Sequence, residues 1–228
     1  MNIVYNESER HAVFMTKKGC LTMERERIVF IGDSITEWGK ADDTLEIGDN
    51  YVRMIRDHYA TCEGYLPEII NKGIGGNRIT DLKARWEEDV ITLNPDVVSI
   101  SIGINDVWRQ LDCPDMEQVT PEIFEALYHE LIKDTQAKTK ANIILMEPTV
   151  IEEERHSKGN TLLKPYVEIV RQMSKTYHLP LVKTHEAFLN YIDQAIDLPL
   201  TIDGVHTTST GDTLMSKTWI KTILKNKK

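Results

Sequence analysis

The segment RIVFIGDSIT, residues 27–36, joins a short apolar run to a polar turn that contains glycine, aspartate and serine. A run of this length and composition is typical of a buried strand in a parallel sheet. The turn ends the strand and places a serine hydroxyl directly after it. The segment therefore predicts a first strand over residues 27–31, followed by a polar loop at the end of the sheet.

Apolar runs alternate with amphipathic stretches along most of the chain, and this rhythm predicts a parallel sheet covered by helices on both faces. Apolar residues three and four positions apart predict the inner faces of the helices. Thr120 and Pro121 open one of these helices as N-cap and first residue, and Asn94 with Pro95 ends another. Further strands are predicted at 68–71, 97–102, 142–147 and 181–183, and the helix faces at Ile79, Leu82, Trp86 and Val90, at Ile123, Leu127 and Leu131, at Leu163, Val167, Val170, Met173 and Tyr177, and within 214–224, where Trp219 joins Trp86 as a core residue.

The domain organisation follows from the same rhythm. No repeat, low-complexity stretch or Pro/Gly-rich linker interrupts residues 25–228, which predicts one domain there. Residues 1–24 stand outside the rhythm and are expected to form an N-terminal extension. Met23 is an alternative start, which would leave residues 1–22 as an upstream addition.

Composition narrows the class of protein. The 228 residues carry 27 Lys and Arg against 36 Asp and Glu, a net charge of −9, which argues against a nucleic-acid partner. Cys20, Cys62 and Cys113 have irregular spacings and form no CxxC pair, which favours a reducing compartment. There is no run of 18 apolar residues and no signal-peptide pattern, so we expect a cytoplasmic protein without a membrane partner. The sequence allows a homo-oligomer but contains no pattern that specifies one.

Ligands of open parallel sheets bind at the carboxyl ends of the strands, so the residues after each apolar run are the most informative. Three of these runs lead into glycine-containing polar turns: Gly32–Thr36, Gly73–Asn77 and Gly103–Asp106. A fourth segment, Asp203–His206, places a carboxylate three residues before a histidine. We expect the three turns to meet at one edge of the sheet.

These segments contain the parts of an acyl-transfer site. A serine hydroxyl is a weak nucleophile until an imidazole accepts its proton, and a carboxylate holds that imidazole in the required tautomer. Ser34, His206 and Asp203 are the candidates for these three roles. The backbone at Gly76 and the side-chain amide of Asn105 can supply N–H donors for an oxyanion.

The four segments IGDSIT, NKGIGGN, IGIND and DGVH resemble, in order and spacing, the signature blocks of the SGNH or GDSL hydrolases. This resemblance covers roughly residues 25–210. It implies Ser34 as nucleophile and as an oxyanion donor through its own N–H, with Gly76 and Asn105 as the other donors. It also implies Asp203 and His206 as the remaining triad members, and chemistry without a metal or another cofactor.

A narrower resemblance concerns Asp81–Gln110, where DLKARWEEDVI is followed by VSISIGINDVWRQ. This region is similar to the branch that contains bacterial acetylxylan esterases. The resemblance implies a three-layer α/β/α sandwich with a five-stranded parallel sheet, which is the flavodoxin-like SGNH fold, and hydrolysis of small acyl esters on sugars. The candidate substrate contacts are Asp33, Trp38, Arg78, Trp108 and Arg109; relatives often carry smaller residues at the positions of Trp38 and Arg78.

Each candidate also has a structural interpretation. Asp33 is an ordinary residue for a helix cap, Asn105 and Asp106 can form a simple turn, and Arg109 can pair with Asp112. The glycine-rich turn at 73–76 lacks the Lys-Ser/Thr of a phosphate-binding loop, and the GxSxG motif of ordinary α/β-hydrolases is absent. The acidic run 152–154 is expected to be a solvated loop. Five further histidines show no metal-binding spacing and are expected at the surface or in packing roles: His58, His129, His156, His178 and His185.

Two other functions use the same residues. A lysophospholipase or thioesterase would share the catalytic segments but would need a long apolar groove, and the sequence contains no evident apolar lid. A non-catalytic carbohydrate-binding module on the same scaffold is disfavoured because Ser34, Asp203 and His206 are all retained. The sequence therefore favours an esterase that acts on a small acyl group attached to a sugar.

Overall fold

A computed structural model describes residues 13–15, 21–23 and 25–225. The strands are β1 (Val13–Met15), β2 (Leu21–Met23), β3 (Arg27–Gly32), β4 (Glu68–Gly73), β5 (Val97–Ser101), β6 (Asn142–Met146) and β7 (Leu181–Val182). The α-helices are α1 (Ser34–Glu37), α2 (Tyr51–His58), α3 (Ile79–Trp86), α4 (Ile104–Asp112), α5 (Pro121–Lys138), α6 (Lys158–Tyr177), α7 (Thr184–Ile192) and α8 (Ser209–Lys225). Turns of π-helix extend α2 over Tyr59–Glu63 and α3 over Glu87–Ile91, and Lys40–Asp42 forms a 3-10 turn.

The central sheet has five strands in the order β4-β3-β5-β6-β7, and every neighbouring pair is parallel. All five predicted strands are found, with ends that differ by at most two residues. Both faces are covered, since α2, α7 and α8 pack together and α3, α4, α5 and α6 form a second group of contacting helices. The predicted three-layer α/β/α fold is confirmed.

Aromatic side chains join the layers. Phe30 of β3 contacts Tyr51 of α2 and Trp219 of α8, with ring centroids 6.1 and 5.6 Å apart. The indole N–H of Trp219 donates to Ser99 Oγ at 3.0 Å, and that of Trp86 donates to Thr135 Oγ1 at 3.1 Å. Both tryptophans are buried, as predicted, and their polar atoms are satisfied, as burial of an indole requires.

The predicted inner face of α5 is wrong at its first residue. Ile123 is 40% exposed, whereas Phe124 and Tyr128 are fully buried. The prediction followed aliphatic residues at a spacing of four, but the aromatic residues one position further on bury more apolar area and occupy the core. The predicted start of this helix is correct, because Thr120 Oγ1 accepts from Ile123 N and Pro121 is the first helical residue.

The strand order places a change of direction beside the functional segments. The chain leaves β3 for β4 on one side and then returns to form β5 on the other side of β3. At such a switch point the loops after the two strands diverge and open a crevice, where parallel α/β proteins bind their ligands. Ser34 and Asn105 lie just after β3 and β5, in the first turns of α1 and α4.

Two further findings concern the N-terminal strands and the length of the helices. β1 and β2 pair as an antiparallel two-stranded sheet within the predicted extension 1–24, most of which lies outside the described residues. The boundary at residue 25 stays a prediction. Among the helices of the described residues, none is long and apolar enough to cross a bilayer.

Candidate active site

Ser34 is the first residue of α1 and follows β3 after one intervening residue. The tight turn before it depends on Gly32, where a Cβ atom would lie 2.4 Å from both Ser101 O and Thr36 Oγ1. Asp33 is the N-cap of α1, and its Oδ1 accepts from Ile35 N at 3.0 Å. The strand–turn–helix geometry therefore presents the Ser34 hydroxyl at the carboxyl edge of the sheet.

His206 and Asp203 reach Ser34 from the loop between α7 and α8. His206 Nε2 lies 2.9 Å from Ser34 Oγ, and His206 Nδ1 lies 2.7 Å from Asp203 Oδ2. An ionised carboxylate only accepts hydrogen bonds, so Nδ1–H donates to Asp203 and leaves Nε2 free to accept the serine proton. The three side chains form one hydrogen-bonded chain although 172 residues separate Ser34 from His206.

The charge on Asp203 is supported by its own loop. Partial burial works to raise the pKa of Asp203, but hydrogen bonds from the His206 ring and from backbone N–H groups outweigh it and lower this pKa. The backbone donors are His206 N at 2.8 Å and Val205 N at 3.1 Å, both to Oδ1. Asp203 therefore stays ionised beside the imidazole at neutral pH.

The acidic run 152–154, predicted to be a solvated loop, holds the loop that carries Asp203 and His206. Glu153 accepts from the N–H groups of Leu200 and Thr201 and from Thr201 Oγ1, at 2.6–3.1 Å. Glu152 N also donates to Gly204 O at 2.7 Å. The prediction of a purely solvated loop is wrong for Glu153, because its carboxylate satisfies backbone donors of a segment distant in sequence.

The three predicted oxyanion donors each keep an N–H group without a partner among the described residues. Neither the Ser34 N–H nor the Gly76 N–H donates to another atom of the described residues, so both are available to a ligand. Gly76 has φ +76°, a conformation that favours glycine. The Asn105 amide donates one N–H to Asn77 O at 3.1 Å and retains a second N–H.

Two tryptophans flank the imidazole. The ring of Trp38 lies 5.1 Å from that of His206, and the ring of Trp108 lies 5.8 Å from it. Trp38 is 42% exposed, and Arg109 lies 5.9 Å from the centre of the Trp108 ring. Arg109 also pairs with Asp112, as the structural interpretation expected. The structure thus places both tryptophans and Arg109 beside the predicted triad.

Arg78 and Asp33, two further candidate contacts, are occupied elsewhere. Arg78 Nη1 donates to Glu117 O at 2.7 Å, and its backbone N–H donates to Asp81 at the start of α3. Asp33 is 2% exposed, and its carboxylate caps α1 through Ile35 N. This burial disfavours direct substrate contact at Asp33, which stays a prediction.

A second carboxyl group, that of Asp106, is completely buried close to Asp33. Burial raises the pKa of Asp106 to about 7 and that of Asp33 to about 6, and the two negative charges oppose each other. Asp106 Oδ1 accepts from Ile79 N at 3.0 Å, whereas its Oδ2 has no hydrogen-bond partner among the described residues. The pair therefore resists full ionisation.

This burial predicts a pH-dependent stability. The folded protein holds the Asp106 proton up to about pH 7, whereas an unfolded aspartate loses it near pH 4, so the free energy of unfolding falls as the pH rises between these values. Replacing Asp106 with asparagine removes this titration. We expect the loss of unfolding free energy between pH 5 and pH 8 to be smaller by about 2 kcal/mol in Asp106→Asn than in the wild type.

Urea unfolding at the two pH values measures this difference. Asp115→Asn, at an exposed position, is the matched control and should follow the wild type. Equal losses of stability in the wild type and in Asp106→Asn would show that the buried carboxyl does not titrate in this range.

Sequence reasoning missed several residues that support the site. Glu153, Asn77 and Asp106 all contact segments that carry the triad or the donors, and Asp106 was considered only as part of a turn. The position of Asn77 and Asp106 inside the signature segments was a usable signal. Glu153 had none, because its role depends on a contact with residues 47 and 48 positions away.

Comparisons with known proteins identify the family of the chain. Residues 30–214 match the model of the GDSL-like lipase/acylhydrolase family. The chain is 36% identical over 209 residues to an acetylxylan esterase of Geobacillus stearothermophilus, covering 87% of this chain and 94% of the relative. The crystal structure of that enzyme, Axe2, superposes with a TM-score of 0.79 over the same shares of the two chains.

A second solved structure is LAE5, an α/β hydrolase enzyme from the metagenome of Lake Arreo in Spain. It is 32% identical, has a TM-score of 0.80, and aligns over 86% of this chain and 94% of its own. The family match covers all four signature segments, and the fold is that of the matched structures. This chain belongs to the GDSL-like lipase/acylhydrolase family.

Proposed function

We propose that this ester hydrolase removes acetyl groups from acetylated xylan or xylo-oligosaccharides through an acyl-enzyme on Ser34. The observation that carries the proposal is the continuous hydrogen-bonded chain from Ser34 through His206 to Asp203. A hydroxyl, a base and an orienting carboxylate in this order are the requirements for nucleophilic attack on an ester carbonyl. The acetylxylan esterase relative supports the choice of an acetylated sugar.

In the first half-reaction, Ser34 Oγ attacks the carbonyl carbon while its proton passes to His206 Nε2. The N–H groups of Ser34, Gly76 and the Asn105 amide donate to the oxygen that becomes negatively charged. The tetrahedral intermediate then breaks its bond to the sugar oxygen, which takes the proton from His206. The sugar leaves as an alcohol, and the acetyl group remains on Ser34.

Water completes the cycle. The neutral imidazole of His206 removes a proton from a water molecule, whose oxygen attacks the acetyl carbonyl under the same three donors. Collapse of the second intermediate returns the proton from His206 to Ser34 Oγ and releases acetic acid, which ionises in solution. The same base therefore serves both half-reactions, and Asp203 stabilises the imidazolium each time it forms.

The tryptophans and Arg109 support a sugar as the leaving group. Because His206 protonates the leaving oxygen, the sugar has to lie against His206, whose ring is flanked by Trp38 and Trp108. Indole faces offer a flat apolar surface for the C–H face of a pyranose, and a guanidinium offers donors for hydroxyl groups. A neutral sugar ester also requires no strongly basic surface, in keeping with the net charge of −9.

Hydrolysis of a panel of substrates tests the proposal, followed by acetate release for the sugar esters and by 4-nitrophenol release for the 4-nitrophenyl esters. The panel contains acetylated xylan, acetylated xylo-oligosaccharides, acetylated chitin fragments, and acetyl and octanoyl 4-nitrophenyl esters, with Ser34→Ala as the negative control. We expect the highest kcat/KM on the xylo-oligosaccharides. Equal slow rates on all sugars would contradict the xylan assignment, and a clear preference for octanoyl esters would favour the lysophospholipase or thioesterase alternative.

Trp38 provides a sharper test of the sugar-binding wall. Replacing it with alanine removes an exposed indole next to His206, and we expect KM for an acetylated xylo-oligosaccharide to rise about tenfold, the loss of roughly 1.4 kcal/mol of stacking. The KM for 4-nitrophenyl acetate should change by less than about threefold, because that ester offers no pyranose. Initial-rate kinetics on both substrates measure the contrast.

Leu45→Ala is the matched control for Trp38→Ala. Leu45 is likewise exposed and apolar, at 54%, and lies between the 3-10 turn at Lys40–Asp42 and α2. It should leave both KM values unchanged. Equal effects of Trp38→Ala on the two substrates would assign Trp38 to support of His206 and not to sugar binding.

We also propose a reducing, cytoplasmic location. Cys62 and Cys113 are free and exposed, and exposed thiols persist in reducing compartments. Fractionation of the source cells tests this, and recovery of the activity outside the cytoplasm would contradict it.

A further inference from the structure

Arg85 of α3 forms four hydrogen bonds close to the predicted site without belonging to any signature segment. Its Nε donates to Asn77 Oδ1 at 2.8 Å, Nη1 donates to Lys72 O at 2.8 Å, and Nη2 donates to Gly32 O at 3.0 Å. Nη1 also pairs with Asp89 Oδ2 at 2.7 Å. The side chain is only 14% exposed, so nearly all of the guanidinium is committed to the protein.

The acceptors of Arg85 lie at the bases of two loops. Gly32 ends β3 directly before Asp33 and Ser34, and Lys72 is the penultimate residue of β4. From Lys72 the chain runs straight into the glycine-rich turn that carries Gly76. One rigid side chain therefore joins the end of the strand before the nucleophile to the end of the strand before a predicted oxyanion donor.

The bond to Asn77 extends this connection to Asn105. Asn77 O accepts one of the two N–H groups of the Asn105 amide, at 3.1 Å. The amide is planar, so the direction of this bond determines where the second N–H points. Arg85 holds the side chain of Asn77 and thereby the peptide on which the orientation of Asn105 depends.

We propose that Arg85 is a positioning residue that aligns Gly76 and Asn105 as oxyanion donors. This inference rests on the proposed function, and Arg85 acts entirely through other residues. A planar guanidinium donates from three nitrogen atoms held apart in one plane and so reaches acceptors on different segments, whereas all the donors of a lysine are on one freely rotating nitrogen. Arg85 thus contributes to the rate by geometry and not by contact with the substrate.

The charges around Arg85 indicate that its role is structural. Burial works to raise the pKa of Asp89, but hydrogen bonds from Lys72 and Arg85 outweigh it and lower this pKa. Lys72 Nζ lies 2.8 Å from Asp89 Oδ1, on the opposite carboxylate oxygen from Arg85. Asp89 neutralises part of the positive charge of Lys72 and Arg85. Arg85 therefore contributes to the site mainly through the directions of its hydrogen bonds and less through its charge.

A double-mutant cycle tests the proposal with 4-nitrophenyl acetate as substrate. Arg85→Met should lower kcat about 10- to 100-fold, with KM within about threefold of the wild type, since a shift of the donors by about 1 Å is expected to cost up to 100-fold. In an Asn105→Ala background, the same substitution should lower kcat by a clearly smaller factor, because only the contribution of Gly76 can still be lost. Equal losses in both backgrounds, or no loss in either, would overturn the proposal.

Arg27→Met is the matched control. Arg27 also joins the two strands, since its Nε pairs with Glu68 of β4 and its Nη1 donates to Leu93 O, but it does so at the opposite end of the sheet. Its loss should reduce thermal stability and leave kcat within about threefold of the wild type. A fall in kcat comparable to that of Arg85→Met would show a general effect of weakened strand ends.

A second variant covers the case in which Arg85→Met does not fold. Asn77→Ala removes only the Oδ1 acceptor and should also lower kcat, again with most of the effect absent in the Asn105→Ala background. Unchanged kcat in Asn77→Ala would contradict the proposed connection. The proposed function is tested separately: normal hydrolysis by Ser34→Ala refutes that function, whereas full kcat in Arg85→Met with inactive Ser34→Ala refutes only this inference.

Discussion

Replacing Ser34 with alanine is expected to lower kcat for 4-nitrophenyl acetate by on the order of 10⁵- to 10⁶-fold, to a residual rate that still exceeds that of the uncatalysed reaction. The substitution removes the only atom that can form the acyl-enzyme in the proposed mechanism. The donors and His206 remain, but without Oγ they can assist only a direct attack by water. The expected loss of kcat is large because the triad residues act as a unit, so that removing one of them disables the other two.

The measurement needs two readouts. Initial rates give kcat, and mass spectrometry after treatment with a serine-directed phosphonate gives the number of labelled sites. We expect one label on the wild type at Ser34 and none on Ser34→Ala. Ser209→Ala, an exposed serine at the start of α8, is the control and should keep both the activity and the label. Activity of Ser34→Ala above about a tenth of the wild type would refute the assignment of the nucleophile.

Replacing Asn105 with alanine is expected to lower kcat about 100- to 1000-fold, with little change in KM. The Asn105 N–H that does not contact Asn77 O is the side-chain donor of the proposed oxyanion hole. Its hydrogen bond strengthens as negative charge develops on the ester oxygen, so its loss raises the barrier more than it weakens substrate binding. Asn105 is 3% exposed, and in this water-poor environment no solvent molecule replaces the donor at full strength.

Asn105→Asp and Asn190→Ala complete this experiment. The aspartate variant keeps the shape of the side chain but replaces the donor with an acceptor, and it should lower kcat at least as much as alanine does. Asn190 lies on the exposed surface of α7, and its loss should leave kcat unchanged. A rise in KM at constant kcat for Asn105→Ala would show that this residue binds the ground state and does not stabilise the oxyanion.

The fold was predictable to a large extent because buried strands have a local signature. The central strands β3, β5 and β6 are mostly apolar, and Ile28 to Ile31 of β3 are at most 1% exposed, as expected for a strand covered on both faces. The inner face of α5 was less predictable, since Ile123 and Phe124 both fit a helical period. Only the packing against the neighbouring helices, where Phe124 contacts Tyr166 at 5.1 Å, decides between them.

The candidate site also has a part that the sequence predicts and a part that depends on packing. Ser34, Asp203 and His206 carry reactive groups in recognisable segments, and the structure brings these groups within hydrogen-bond distance of one another. Asp33 shows the limit of this reasoning, because a carboxylate next to the nucleophile can point into the cleft or into the protein. The free N–H groups at the start of α1 draw it inward.

The sequence by itself determined the alternation of strands and helices, the family, and the chemical groups of the site, because each depends on short segments with a local pattern. The tertiary structure alone decided which side chains support those groups. Glu153 holds the loop of Asp203 and His206, Trp38 lies against His206, and Arg85 joins the ends of β3 and β4. These contacts join residues that are distant along the chain, and their directions depend on strand order and loop geometry, which no local pattern encodes.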